Sequence, residues 1–322
     1  MARIVLHLKP ADATPDLKGW HLRLYRELAA LCTADGVPLD IRARDRDIRV
    51  GTRTLRDDRF DDGNLHIIDD RSLRATGVLN AGVAYFWEFW HLDPAGTKAF
   101  SSIGQEIYDP AAVSDQRAEN FIRNLRRKYS DKRKSKYRQP SERQALPANA
   151  ISVFFQGRHP VSSGATAHGD LDILRAVLDA AGDRPVIVKP HPFSSTEADI
   201  DAVRSLALTD PRLALTQANV HDILPASLCT VSVNSTVALE GYLHGVPAIL
   251  CGTCDFHHLA CPATDLAQMP AALDAALSQE ADYDRYLAWY FVKHCIHIRS
   301  GRLHETLWHR FAAAGFPRDR FR

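Results

Sequence analysis

What this 322-residue chain lacks narrows it first. No apolar run approaches the roughly 18–20 residues that span a bilayer, so no transmembrane anchor is expected. Residues 3–8, Arg-Ile-Val-Leu-His-Leu, make an apolar start. They lack a basic flank, a full hydrophobic region and a small-residue cleavage site, so no signal peptide is read. The six cysteines (Cys32, Cys229, Cys251, Cys254, Cys261 and Cys295) show no disulfide-framework spacing, which points to a reducing cytoplasm. No internal repeat is found. The 40 Lys and Arg nearly cancel the 39 Asp and Glu, excluding a nucleic-acid binder that works by bulk charge.

What is present is a chain able to fold. Hydrophobic residues make up 45% and charged ones 25%, which is globular rather than disordered. The length favours two domains of roughly 150 residues each. The net charge of +1 hides a segregation. Residues 117–138 hold ten basic side chains against only Glu119 and Asp131, a block of +8 that leaves the remainder at −7.

In the first half, Arg3–Leu8, Leu39–Ala43 and Asn64–Ile68 read as strands, and Gly19–Ala34 as a helix with Trp20, Leu24, Leu28 and Leu31 on one face. The aromatic run Gly82–Trp90 reads as one buried strand entering a loop at His91-Leu92-Asp93-Pro94. From Asp115 the pattern is helical and basic, and it breaks at Pro140 and Pro147. We therefore expect an N-terminal domain over 1–147 and a C-terminal domain over 148–322, a division that leaves room for the last helices to cross back. The second half alternates strand and helix. Strands are expected at Ala150–Phe155, Pro185–Val188, Leu213–Leu215, Cys229–Val233 and, last, Val246–Leu250. That order is a doubly wound α/β sheet, whose ligands sit outside the carboxyl ends of the strands.

Three of these strand ends carry residues suited to a charged ligand: Gln156-Gly157-Arg158, Lys189-Pro190-His191-Pro192 and Asn234-Ser235-Thr236. Ser235 and Thr236 open a helix, where hydroxyls and first-turn amides can meet a phosphate, though a plain helix cap needs the same residues. Lys189 and His191 offer two cations on a turn stiffened by two prolines, and His191 is placed to donate to a phosphate or act as general acid. A solvated turn is the duller alternative. Glu240, on the helix after Ser235, is in reach of ribose hydroxyls, or is an ordinary helix Glu. Glu88 and Asp93 sit among aromatics that raise a carboxyl pKa and stack on sugars, and are the N-terminal candidates for a catalytic carboxylate. Asp170 and Asp172 read as helix N-terminal acids. Cys251-x-x-Cys254 with His257, His258 and Cys261 has zinc-like spacing, but Cys251 closes a buried strand and no metal site is assigned.

The strand-terminal Lys-Pro-His-Pro at 189–192 and the later stretch Asn-Ser-Thr-Val-Ala-Leu-Glu-Gly-Tyr-Leu-His-Gly-Val-Pro at 234–247 resemble the bacterial capsular polysaccharide synthesis family, which includes retaining β-Kdo transferases. The similarity covers roughly residues 150–265. It implies a GT-B fold, two Rossmann-like domains facing across a cleft, with a nucleotide-sugar, often CMP-activated, on the C-terminal domain. By that resemblance His191 matches the His-Pro histidine near the donor phosphate, Ser235 and Thr236 match the phosphate-binding Ser motif, and Glu240 matches the acid of the same helix. Capsule enzymes usually carry an Asp within a few residues of the Gln after the interdomain strand; here the next Asp after Gln156 is Asp170.

The expectation is a cytoplasmic, metal-independent glycosyltransferase of surface-polysaccharide assembly. Gln156, Lys189, His191, Asn234, Ser235, Thr236 and Glu240 would form its donor site. Its acceptor would be a glycan or glycolipid, and residues 117–138 would touch an anionic membrane. A polyol-phosphate transferase and a non-catalytic nucleotide- or glycan-binding subunit are the rival readings.

Overall fold

Short apolar runs become strands buried on both faces, the signature of parallel sheets covered by helices. The structure, a computed structural model, describes residues 1–48 and 58–322. It divides into two units, Met1–Glu106 with His294–Arg322, and Ile107–Lys293. Among the described residues each unit is built on a six-stranded sheet.

The first unit holds β1 (Ile4–Leu8), β2 (Leu39–Ala43), β3 (Leu65–Asp69), β4 (Val78–Val83) and β5 (Phe89–Asp93), completed by β12 (Ile296–His297). Their spatial order is β12-β5-β4-β3-β1-β2. The first four strands are mutually parallel, β5 runs antiparallel to β4, and β12 pairs antiparallel with β5. Ile4, Leu6 and Leu8 pack in one core with Leu24, Leu28 and Leu31 of helix α1 (Arg23–Asp35). Leu303, Leu307 and Phe311 of the returning helix α10 (Leu303–Ala313) join them.

The second unit begins with the basic helix α2 (Asp115–Lys128) and carries strands β6 (Ala150–Phe154), β7 (Val186–Lys189), β8 (Leu213–Leu215), β9 (Ser227–Ser232), β10 (Ala248–Leu250) and β11 (Cys261–Pro262). Helices α3 (His159–Ser162), α4 (Asp170–Ala180), α5 (Glu197–Ala207), α6 (Val220–Ile223), α7 (Thr236–Tyr242), α8 (Met269–Ser278) and α9 (Tyr283–Ala288) lie between and after them. The strands are all parallel, in the order β11-β10-β9-β6-β7-β8. The chain runs outward from β6 through β7 to β8, then returns to the other side of β6 with β9. The β6–β9 crevice is therefore the topological switch point, where doubly wound sheets bind ligands.

Four expectations need correction. The unit boundary falls at 106/107 rather than 147, because the basic segment is anchored in the second unit. Arg126 donates to both carboxylate oxygens of Asp284 at 2.8 and 2.6 Å, and Arg133 pairs with Asp222 through two nitrogens. The run Gly82–Trp90 is a hairpin, not one strand. Tyr85 takes a left-handed φ of 64° and the Ala84 amide donates to the Phe89 carbonyl, so burial continues through a turn that composition does not mark. His91, Leu92 and Asp93 consequently lie in β5 rather than in a loop. Val246–Leu250 is not the last strand, since β11 and β12 follow.

Candidate functional site

The end of β6 is laced to both neighbouring strand ends. The Gln156 side chain makes a paired contact with Asn234: its Nε2 donates to Asn234 Oδ1 and its Oε1 accepts the Asn234 amide, each at 2.9 Å. Asn234 Nδ2 in turn donates to the Thr253 carbonyl. On the other side Gly157, at φ +68°, lies so close to Ser194 that a Cβ would come within 2.4 Å of its carbonyl oxygen. Only glycine allows that approach. Gln156 and Asn234 thus use their amides to hold the crevice in shape.

Asp170 completes the clamp. Its carboxylate accepts the amides of Gln156 and Gly157, at 2.7–3.1 Å. The carboxylate that the sequence does not supply directly after Gln156 is brought there in space by the start of α4. Burial pushes the Asp170 carboxyl up to about 6, although the two amides oppose the shift. Asp172 instead accepts the Gly169 amide and caps α4.

At the end of β7 the two expected cations part company. Lys189 is buried, and its ammonium donates to the carbonyls of Gln217 and Ala218 at 3.1 and 2.7 Å. Burial pulls its pKa down to about 8. It is therefore a structural tie between β7 and the segment after β8. His191 stays at the edge. Its Nδ1 accepts the amides of Phe193 and Ser194 at 3.2 and 3.1 Å, which puts the ring proton on Nε2. Burial and the nearby Lys136 ammonium lower its pKa, and protonation would also bring an Nδ1–H against two amide donors. The ring is a neutral Nε2–H donor, better suited to hold an anion than to act as a charged general acid.

At the end of β9, Ser235 Oγ accepts the Val237 amide and caps α7, a helix of only seven residues, and Thr236 is its first residue. Both remain partly exposed. Glu240 does not reach toward them. It is 1% exposed, and its Oε1 accepts the Ser135 hydroxyl at 2.6 Å. Burial raises its carboxyl to about 7, against the opposing pull of Ser135 and Lys136. Its other oxygen has no hydrogen-bond partner.

Ser135 belongs to a strap, residues 130–144, in the stretch where the basic helical pattern breaks at Pro140. Besides Arg133–Asp222, Asn219 Nδ2 donates to the carbonyls of Arg133 and Pro140, and a His221 ring nitrogen meets the Lys134 carbonyl at 2.8 Å. The strap sets Tyr137 against His191 and Phe193, with ring centroids 5.1 and 5.3 Å apart.

In the first unit, Asp93 is spoken for. Its two oxygens accept the amides of Ala95, Gly96 and Ser102 and the Ser102 hydroxyl, so it fixes the loop after β5. Glu88 is buried, and its carbonyl accepts the Ile298 amide from the returning C-terminal segment. Sequence reasoning missed the charged cluster at this unit's own switch point, between β1 and β3. Asp70, with a left-handed φ of 48°, accepts Lys98 Nζ at 2.8 Å and Thr97 Oγ1 at 3.2 Å. Burial opposes its charge most strongly, but Lys98, Lys9 and the Thr97 hydroxyl together outweigh it and hold the carboxyl well below the usual range. Asp69 accepts the Tyr25 hydroxyl and pairs with Arg44; burial and Asp70 raise its pKa. The Asp-Asp pair after an apolar run was the available signal.

Cys251, Cys254 and Cys261 are buried free thiols whose pKa values burial raises, to about 12 for Cys251. Among the described residues no group of three or more His, Cys, Asp or Glu gathers as metal ligands, and no helix is long and apolar enough to cross a membrane.

Two solved structures are similar over nearly the whole chain. The β-Kdo 2,7 transferase of Thermosulfurimonas dismutans KpsC gives a TM-score of 0.55 at 11% identity, covering 98% of this chain and 100% of the other. The β-Kdo 2,4 transferase of the same KpsC gives 0.54 at 11% identity, with 89% of each chain covered. The fold is GT-B. No protein-family model matches the chain. A 129-residue stretch is 28% identical to lipase LipV of Mycobacterium tuberculosis, covering 36% of this chain and about half (49%) of the lipase. The sequence contains no Gly-x-Ser-x-Gly, the turn on which many lipases present their nucleophile. On this GT-B frame the laced β6–β9 crevice lies in the C-terminal unit.

Proposed function

We propose that this chain is a glycosyltransferase of capsular or surface-polysaccharide assembly that draws on a nucleotide-activated sugar of the CMP-Kdo type. The observation that carries the reading is the switch point of the second unit. There a shaped crevice, His191 Nε2–H and the partly exposed Ser235 and Thr236 stand at three neighbouring strand ends.

In this reading Gln156 and Asn234 set the crevice, while His191, Ser235 and Thr236 hold the donor phosphate. These neutral donors offset the charge that develops as the bond from the anomeric carbon to the phosphate oxygen breaks and the nucleotide leaves. An acceptor hydroxyl forms the new glycosidic bond and gives its proton to a carboxylate base. In this reading Asp93 is not that base, since its oxygens accept donors of its own loop, and Glu88 is the N-terminal carboxylate left to test. Lys189 and Glu240 are left out of the donor contacts because both are buried on internal partners.

Calorimetric titration with nucleotides tests the donor site. CMP or a related nucleotide should bind, and His191→Ala or Ser235→Ala should weaken it about tenfold or more. Unchanged binding in both variants would remove the assignment. Product mass separates sugar transfer from polyol-phosphate transfer, since only the latter adds phosphorus. Donor turnover that vanishes in Glu88→Gln argues against a non-catalytic binding subunit.

Arg117, Arg123, Arg127 and Lys128 are exposed on α2 and support a contact with an anionic lipid surface or a lipid-linked acceptor. Co-sedimentation with vesicles should rise with anionic lipid content and fall with salt.

A further inference from the structure

The donor site as drawn has no cation once Lys189 is turned inward, yet a nucleotide-sugar brings at least one phosphate charge. The strap supplies one. Four anchors hold it: Arg133 on Asp222, Ser135 on Glu240, His221 on the Lys134 carbonyl, and Asn219 on the carbonyls of Arg133 and Pro140. Between these points lie Lys136 and Tyr137. The Tyr137 ring stands edge-on to His191 at 5.1 Å, and the Lys136 ammonium lies 5.6 Å from the Tyr137 ring centre. Lys136 is also near enough to His191 to lower its pKa. Phe193, 78% exposed, closes the same aromatic group.

We propose that residues 134–138 are part of the donor site and that Lys136 is its phosphate-binding cation, in the place the sequence assigns to Lys189. A strap anchored at several points carries the ammonium on the Tyr137 ring that packs against His191, and in this proposal the lysine and the His191 Nε2–H meet one phosphate. This rests on the nucleotide-sugar reading above and adds to it a contact from a segment remote from the strand-end motifs.

The test is calorimetric titration of CMP, UDP and cytidine into wild type, Lys136→Gln, Lys136→Arg and His191→Ala at low and high salt. Lys132→Gln, an exposed strap lysine, serves as the charge-matched control, and circular dichroism confirms folding. Lys136→Gln should weaken nucleotide binding about tenfold to a hundredfold and flatten its salt dependence. Lys136→Arg should recover most of the loss, Lys132→Gln should bind like wild type, and cytidine, which has no phosphate, should not distinguish the variants. If His191→Ala weakens binding while Lys136→Gln does not, the strap proposal fails and the donor reading stands. If Lys136→Gln weakens cytidine as much as CMP, the lysine acts through the fold and the proposal is overturned. If wild type binds no nucleotide, the donor reading fails first and takes the strap with it.

Discussion

At the β6–β9 turning point the second unit laces its strand ends with neutral amides, whereas at β1–β3 the first unit sets two carboxylates against lysine and arginine. Topology places a crevice at both. The amide pair of Gln156 and Asn234 fixes a shape with no charge of its own, and the Asp170 carboxylate that completes the clamp is held by backbone amides rather than by a cation. The Asp70–Lys98 and Asp69–Arg44 pairs commit charge of both signs before any ligand arrives. A single rule of chain connectivity thus yields one edge tied by amides and one tied by ion pairs, and only the second should respond to salt.

The contrast is hardest to keep at the strap, where charge also holds the second unit. Arg133→Ala strands a carboxylate that is 10% exposed, and should lower the unfolding free energy by about 3–5 kcal/mol. It should also open residues 130–144 to proteolysis. A urea midpoint unchanged from wild type would show that the strap is not anchored there.

Glu240 gives the next largest effect, through pH. Its folded pKa of about 7 stands above the ordinary 4.5, so between those values the folded protein holds a proton that the unfolded chain has lost. Stability therefore falls as pH rises from 4.5 to 7, by on the order of 3 kcal/mol, and levels off above. Glu240→Gln should remove that slope and be the more stable protein at pH 8. Parallel urea titrations of both proteins check it.

Gln156→Ala loses both bonds of the clamp and should cost about 2 kcal/mol, the same at low and high salt. Asp70→Asn is the counterpart at the other edge. Its pair with Lys98 is about a third exposed on each side, so the loss should be about 1 kcal/mol and should shrink with added salt. Because the Asp70 carboxyl is held low, its contribution is present above pH 4 and disappears on acidification below that. Equal salt responses at Gln156 and Asp70 would erase the distinction between the two edges.

Much of this fold was legible because parallel strands are apolar on both faces and stop abruptly. Ala150–Phe154 and Leu213–Leu215 stand within a residue of their expected bounds. The hairpin through Ala84–Glu88 was not legible, since its turn is as buried and aromatic as the strands it joins. Site direction was harder still. Lys189 and His191 are two residues apart on one strand end, yet one faces inward to carbonyls and the other stays at the rim. Lysine's long stem permits either course, and only the carbonyls of Gln217 and Ala218 decide it. The strap escaped for a related reason: ten basic residues look solvated until Asp222 and Asp284, distant in sequence, are brought beside two of them.

The return of residues 294–322 to the first sheet has a consequence for biosynthesis. Ile296, Leu303, Leu307 and Phe311 sit in the same core as β1 and α1, so the first unit cannot close its interior until residues 294–322 have left the ribosome. The second unit is one uninterrupted stretch, Ile107–Lys293, and can complete its core while the earlier residues wait. For these two units the order of synthesis is then the reverse of the order of maturation, and residues 1–106 keep an open core until residues 294–322 arrive.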